Sequence, residues 1–133
     1  KSDDFNVTAS PGKGYTYRTA IGDDEENLTK ITFGAGKVKD SWNVVFEVNG
    51  RYDVVDSKGM QVQIFSKVIN MLRHFIENEQ PESITFTSKT YEPSRSKLYD
   101  RMIRVLGREY NYSLAGPVKR DGTSQVYKVQ RDS

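Results

Sequence analysis

The sequence predicts an α+β fold, a mixed central sheet of about six to seven strands with two main helices. Three observations predict it. Trp42, Val44, Phe46 and Val48 alternate with Asn43, Val45, Glu47 and Asn49, the period of a strand with one buried face. From Met60 the apolar period becomes helical, and it does so again after Ser94. Both helical stretches lie between strands, so part of the sheet is parallel and covered by helices. A chain of 133 residues is the size of one domain. It can bury roughly two-thirds of its unfolded surface, enough to fold without covalent staples.

Residues 1–14 hold Pro11, Gly12 and Gly14 among small and charged residues and read as a flexible lead-in to a single domain over 15–133. Tyr15–Ala20 alternates as a short strand does. Gly22–Asn27 is an acidic turn without an apolar anchor. It lacks the alternating oxygens and central glycine of a calcium loop, so a solvated loop is its reading. Ile31–Phe33 is a short strand ending at Gly34 and Gly36. The strand at Trp42–Val48 runs into Asn49-Gly50, a strong hairpin signal, with Arg51–Val55 as the return strand. A two-residue turn sets Phe46 opposite Asp53. A bulged three-residue turn sets it opposite Val54, and Val48 opposite Tyr52, and apolar pairing favours that register.

Val62, Phe65, Val68, Ile69, Leu72, Phe75 and Ile76 then mark a helix from just after Gly59 to near Gln80, ahead of Pro81. Ile84 and Phe86 alternate with Thr85 and Thr87 as a strand. Tyr91–Pro93 reads as a loop. Ser94 is a good N-cap for a second helix with the stripe Leu98, Met102, Val105 and Leu106, which Gly107 stops near its end. Tyr110–Leu114 and Gln125–Gln130 complete the sheet, with Gly116-Pro117 and Asp121-Gly122 as punctuation.

Composition removes several classes of function. No cysteine means no disulfide, thiol nucleophile or thiolate metal site. His74 is the single histidine, so a zinc site would need several carboxylates around it, and a Ser-His-Asp hydrolase would need His74 itself. His74 sits mid-helix among apolar residues and is given a structural role. No apolar run approaches the roughly 18 residues of a membrane span, so no membrane partner is expected. The chain begins at Lys1 rather than Met, as expected of a processed or excised chain whose targeting segment would already be gone. The net charge of +2 is unevenly spread. Residues 1–57 hold 7 Lys/Arg against 10 Asp/Glu, and residues 58–133 hold 13 against 8.

Two places can hold chemistry. The first is the helix entry Asp56-Ser57-Lys58-Gly59-Met60-Gln61. Free N–H groups and a partial positive charge there can hold a phosphate, Gly59 admits close approach and Lys58 adds a cation. The simpler reading, which one glycine favours, is an ordinary helix start. The second is Tyr99, in the first two turns of the later helix near the end of the preceding strand. A phenol there can give a proton to a leaving group. The simpler reading is an amphipathic residue at the helix–sheet boundary. Elsewhere, Lys97, Arg101, Arg104 and Arg108 recur at steps of three to four residues, with Arg95 before them. They offer a face to nucleic acid, for which a solvated helix face is the preferred alternative.

The order of elements, with Ser57-Lys58-Gly59-Met60-Gln61 at the first helix and Pro93 through Leu98-Tyr99-Asp100-Arg101-Met102 at the second, resembles the GNAT N-acetyltransferase superfamily. Glu92-Pro93-Ser94-Arg95 with Leu98-Tyr99-Asp100-Arg101 is also similar to small GNAT-like proteins of bacteriophages. The resemblance spans roughly residues 31–129, and the family's usual helical arm after the first strand is replaced by the acidic loop. It implies acetyl-CoA or another acyl-CoA as co-substrate. Lys58, Gly59, Met60 and Gln61 would bind the pyrophosphate, and a splayed strand around Val54 and Val55 would align the thioester. Tyr99 would be the general acid, and Glu47 or Asp53 the base.

Two positions depart from the family's pattern. Gln61 or Val62 stands where a second small residue belongs, and Glu92 stands where an asparagine is usual. The expectation is therefore a divergent acyl-CoA-dependent N-acyltransferase. The alternative is a non-catalytic structural or interaction module of a phage particle or accessory protein, with protein partners or self-assembly. The expected location is host cytoplasm or virion if phage-encoded, and otherwise cytoplasm.

Overall fold

The alternation at residues 42–48 becomes a central strand, and the neighbouring elements follow from its two edges. The computed structural model describes residues 5–22, 28–49, 61–88, 93–122 and 124–132. Strands β1 (Asn6–Ser10), β2 (Gly14–Ile21), β3 (Thr29–Val38) and β4 (Ser41–Val48) form an antiparallel meander. Helix α1 (Gln61–Glu79) then leads to β5 (Ser83–Ser88), which pairs parallel to β4. Helix α2 (Pro93–Tyr110) is followed by β6 (Tyr112–Leu114), β7 (Lys119–Asp121) and β8 (Ser124–Arg131). The order across the sheet is β1-β2-β3-β4-β5-β8-β6, with β7 also paired to β8. The predicted class, α+β with a mixed sheet and two helices, is the observed one.

Several boundaries differ from the sequence reading, each for a physical reason. Residues 6–10, assigned above to a lead-in, form strand β1, because Pro11-Gly12-Lys13 turns the chain back. Gly12 has φ of 80°, a conformation that side chains rarely tolerate, and the Lys13 amide donates to the Ser10 carbonyl across the turn. Strand β3 runs through Gly34 and Gly36 to Val38, because β2 and β4 pair with it on both edges. Gly107 lies inside α2 rather than ending it. A Cβ there would sit 3.0 Å from the Tyr112 carbonyl, so the glycine lets β6 approach the helix. The helix ends instead at Asn111, whose φ is 64°. Tyr110 is thus helical, and β7 is a short strand that sequence reading left out. Helix α1 ends one residue before Gln80, which caps it with φ of 52° and an amide bond to the Ile76 carbonyl. The return strand Arg51–Val55 and both of its registers lie outside the described residues.

Both helices cover the same face of the sheet. Trp42 and Phe46 are four residues apart on β4 and point the same way. Trp42 meets Phe75 of α1 edge-on, and Phe46 meets Tyr99 of α2 in the same manner. Tyr15, Tyr17, Ile31, Phe33 and Val44 complete the strand side of this core. Met71, Leu72, Met102 and Leu106 complete the helix side, all but fully buried. On the other face Thr16, Thr32, Gly34, Val45 and Thr85 are half-buried, and no described helix covers them.

Polar contacts tie the helices to the sheet margin. Glu79 accepts from the Tyr15 hydroxyl at 2.9 Å and from the Gly12 amide at 3.2 Å, anchoring the β1–β2 turn to the end of α1. Tyr17 and Nδ1 of His74 are hydrogen-bonded at 2.9 Å, and Phe5 stands edge-on to both rings. Arg73 of α1 grips Glu109 of α2 with two bonds of 2.8 and 3.0 Å.

Burial raises the phenol pKa of Tyr15, Tyr17, Tyr110 and Tyr112 above the ordinary value, with Glu79 adding to it at Tyr15 and Glu77 at Tyr110. A group whose folded pKa is raised stabilises the fold below its unfolded pKa, near 10 for tyrosine, and loses that contribution as pH rises beyond it. Titration followed by tyrosinate absorbance should therefore show several tyrosines ionising only together with loss of the near-ultraviolet circular dichroism. All eight tyrosines ionising near pH 10 with the fold intact would contradict this burial.

Candidate ligand cleft where two parallel strands part

Strands β4 and β5 are the parallel pair at the centre of the sheet, and α1 is the crossover that a parallel pair requires. Their ladder is short. It joins Trp42 to Ile84, Asn43 to Thr85 and Val44 to Phe86, and then stops. Strand β4 continues to Val48, still paired to β3, and β5 continues to Ser88, still paired to β8. The two strands are thus held by their outer neighbours while their facing edges part. The carboxyl ends of parallel strands are where ligands are commonly held in sheets with crossover helices.

Tyr99 lies at this parting. The second turn of α2 places it there, because Leu98, Met102 and Leu106 seat that helix on the sheet. Its ring touches Phe46 of β4, Phe86 of β5 and Tyr127 of β8 at centroid distances of 5.9, 5.7 and 5.5 Å. Its hydroxyl donates to the Thr87 carbonyl at 3.3 Å. Thr87 is the first β5 residue beyond the β4 ladder. The phenol is only 1 % exposed, so it belongs to the core rather than to the helix–sheet margin anticipated from sequence.

The other anticipated site residues are distributed differently. Glu47 is half-buried on β4. It alternates with Phe46 and Val48, which face the helices, so it faces the uncovered side and does not share Tyr99's environment. Gln61 is the first residue of α1. Asp53, Val54, Val55, Lys58, Gly59 and Met60 lie outside the described residues. The strand that parts from a parallel neighbour is β4, over Val45–Val48. Of those residues sequence reading named only Glu47 as a site candidate, and it missed Val45, Phe46, Val48 and Thr87. The available signal was the β-α-β order around α1, which implies that β4 and β5 are parallel.

The remaining candidates have structural roles. The described contacts of the His74 ring are Tyr17, Asn78 and Phe5, so it has neither the serine nor the carboxylate of a hydrolytic triad there. Among the described residues no three His, Asp or Glu side chains group as a metal site. No described helix is long and apolar enough to cross a membrane. A cavity of about 610 Å³ lined by Phe5, Arg18, Lys30 and Thr32 opens over β1–β3, away from the parting.

No protein-family model matches the chain, and no curated protein matches it.

Tyr99→Phe keeps the ring contacts and removes one long hydrogen bond, which should cost about 1 kcal/mol of stability. Tyr99→Ala leaves a cavity among three aromatic rings and should cost about 3–5 kcal/mol. Urea unfolding of both variants checks this. Equal losses would show that the ring is not packed as described.

Proposed function

We propose that the chain is a GNAT-like domain, a divergent N-acyltransferase that takes an acyl-CoA where β4 and β5 part. The observation that supports this reading is the parted parallel pair with a phenol against it. An acyl-CoA supplies the thioester carbonyl that is attacked and the thiolate that leaves. In this reading the main chain of Val45–Val48 aligns the carbonyl and its developing negative charge. The amine acceptor forms the new C–N bond as the C–S bond breaks. Tyr99 exchanges its long bond to Thr87 for the departing sulfur and gives it the phenol proton. A carboxylate, Glu47 or Asp53, takes the proton from the amine. Glu47 would do so through water, since it lies on the face away from Tyr99. Lys58, Gly59, Met60 and Gln61 hold the pyrophosphate.

A second reading has its own observation. Tyr99 is almost completely buried among three rings, as a purely structural tyrosine would be. On that reading the chain is a non-catalytic interaction module of the same fold, in a phage particle or as a phage accessory protein.

Calorimetric titration with acetyl-CoA, with coenzyme A alongside, separates the two. Micromolar binding that is lost in Gly59→Leu, with binding kept but amine acylation lost in Tyr99→Phe, is the outcome expected of the enzyme. No heat and no thermal shift at millimolar ligand would overturn the acyltransferase and leave the interaction module.

A further inference from the structure

The outward face of α2 is independent of the cleft. Its inward residues, Leu98, Tyr99, Met102, Val105 and Leu106, are buried. From Lys97 to Glu109 every exposed residue is charged: Lys97, Asp100, Arg101, Arg104, Arg108 and Glu109. At about 100° per residue, the four cations fall within about 60° of one another around the helix. They extend over about 16 Å along it, at about 1.5 Å per residue.

Among the described residues the fold neutralises little of this charge. Among the described residues no carboxylate lies within ion-pair distance of Lys97, Arg101 or Arg104. The Arg101 guanidinium lies over the Phe65 ring at 5.7 Å, a contact that carries no neutralising negative charge. Arg108 approaches Glu109 only at 3.9 Å. Glu109 is held by Arg73, whose two hydrogen bonds also keep its carboxyl below the usual carboxylate range. Arg73 thereby neutralises from α1 the acid that would otherwise engage Arg108. Asp100 is the remaining carboxylate of the row.

We propose that this row, Lys97, Arg101, Arg104 and Arg108, binds the phosphate backbone of a nucleic acid without reading its sequence. Charge complementarity selects an anionic polymer. A protein interface would have an apolar or aromatic anchor at its centre, and no exposed apolar side chain stands on α2 from Lys97 onward. A membrane-binding helix inserts an apolar face, and the apolar face of α2 is spent on the sheet. Phosphate contacts need neither, since displaced counterions supply the driving force.

The test is the salt dependence of binding to a fluorescent 20-base-pair DNA duplex and to the corresponding single strand. The probes alongside are poly-glutamate and vesicles containing phosphatidylserine. Each phosphate contact contributes about 0.9 to the slope of log affinity against log salt for a duplex, and about 0.7 for a single strand. The expected slope for the duplex is about −3 to −4, and R101Q/R104Q should reduce its magnitude by about 2. Lys37→Gln, an exposed cation at the end of β3, should leave it unchanged. Circular dichroism checks that each variant is folded. No binding to either oligonucleotide at 50 mM salt would overturn the proposal. So would equal affinity for poly-glutamate or the vesicles, or a slope that R101Q/R104Q does not change. Acetyl-CoA titration of R101Q/R104Q separates this face from the cleft, because neither residue contributes to the parting strands.

Discussion

A single buried face constrains the whole structure. Among the described residues the buried apolar side chains of the sheet lie on one side, and that side must be covered by whatever helices the chain provides. Trp42 and Phe46 define the requirement, since they share a face of β4 and need partners at both ends of it. Helix α1 supplies Phe75 at one end and α2 supplies Tyr99 at the other. Helix α1 crosses that face between β4 and β5 and so connects two parallel strands. The parallel pair at the centre and the helix that covers its buried face are thus parts of one β-α-β unit. The parting of the pair belongs to the same arrangement, because each strand keeps a full antiparallel partner on its outer edge.

This explains which parts of the fold were legible in sequence. Period and spacing report which residues face the core, so α1, α2, β4 and β5 could be read from local patterns. Strand β1 was less visible because all five of its residues are exposed, so the alternation of Val7 and Ala9 with Asn6, Thr8 and Ser10 marks no buried face. Its evidence is the Pro11-Gly12 turn, which makes a strand only when β2 is there to pair with it. The passage of β3 through Gly34 and Gly36 has the same origin, since two neighbouring strands override the weak preference of a glycine. Gly107 reads as a helix stop from its identity alone. Its actual reason is the approach of Tyr112, a contact that no local pattern contains.

The candidate site shows the same division. Tyr99 stood out in sequence as a phenol in the first two turns of a helix, near the end of the preceding strand. Its significance depends on three neighbours from three different strands, and those come together only through the sheet order. Glu47 was a reasonable candidate on type alone, but alternation along β4 sends it to the face opposite Phe46. A strand can place two side chains in one environment only when they are an even number of residues apart. Glu47 fails that condition with respect to the ring that contacts Tyr99.

Helix α2 is constrained on one side only, and that asymmetry decides what its two faces can do. Inward substitutions at Leu98, Tyr99 or Met102 disturb a core that joins four elements, so those positions answer to stability before any chemistry. Outward positions have no such duty. A solvated helix needs charge for solubility, but either sign serves, and mixed signs at spacings of three and four residues would add small stabilising pairs. The observed row offers only Asp100 at such spacings, from Lys97 and Arg104, and no ion pair forms there among the described residues. It places four cations along one line, and its one competing carboxylate in contact with Arg108 is held by an arginine from the neighbouring helix. Repulsion between like charges at these spacings costs a few tenths of a kcal/mol each. The fold gains nothing from that cost, whereas a polyanion bound along the row would offset it.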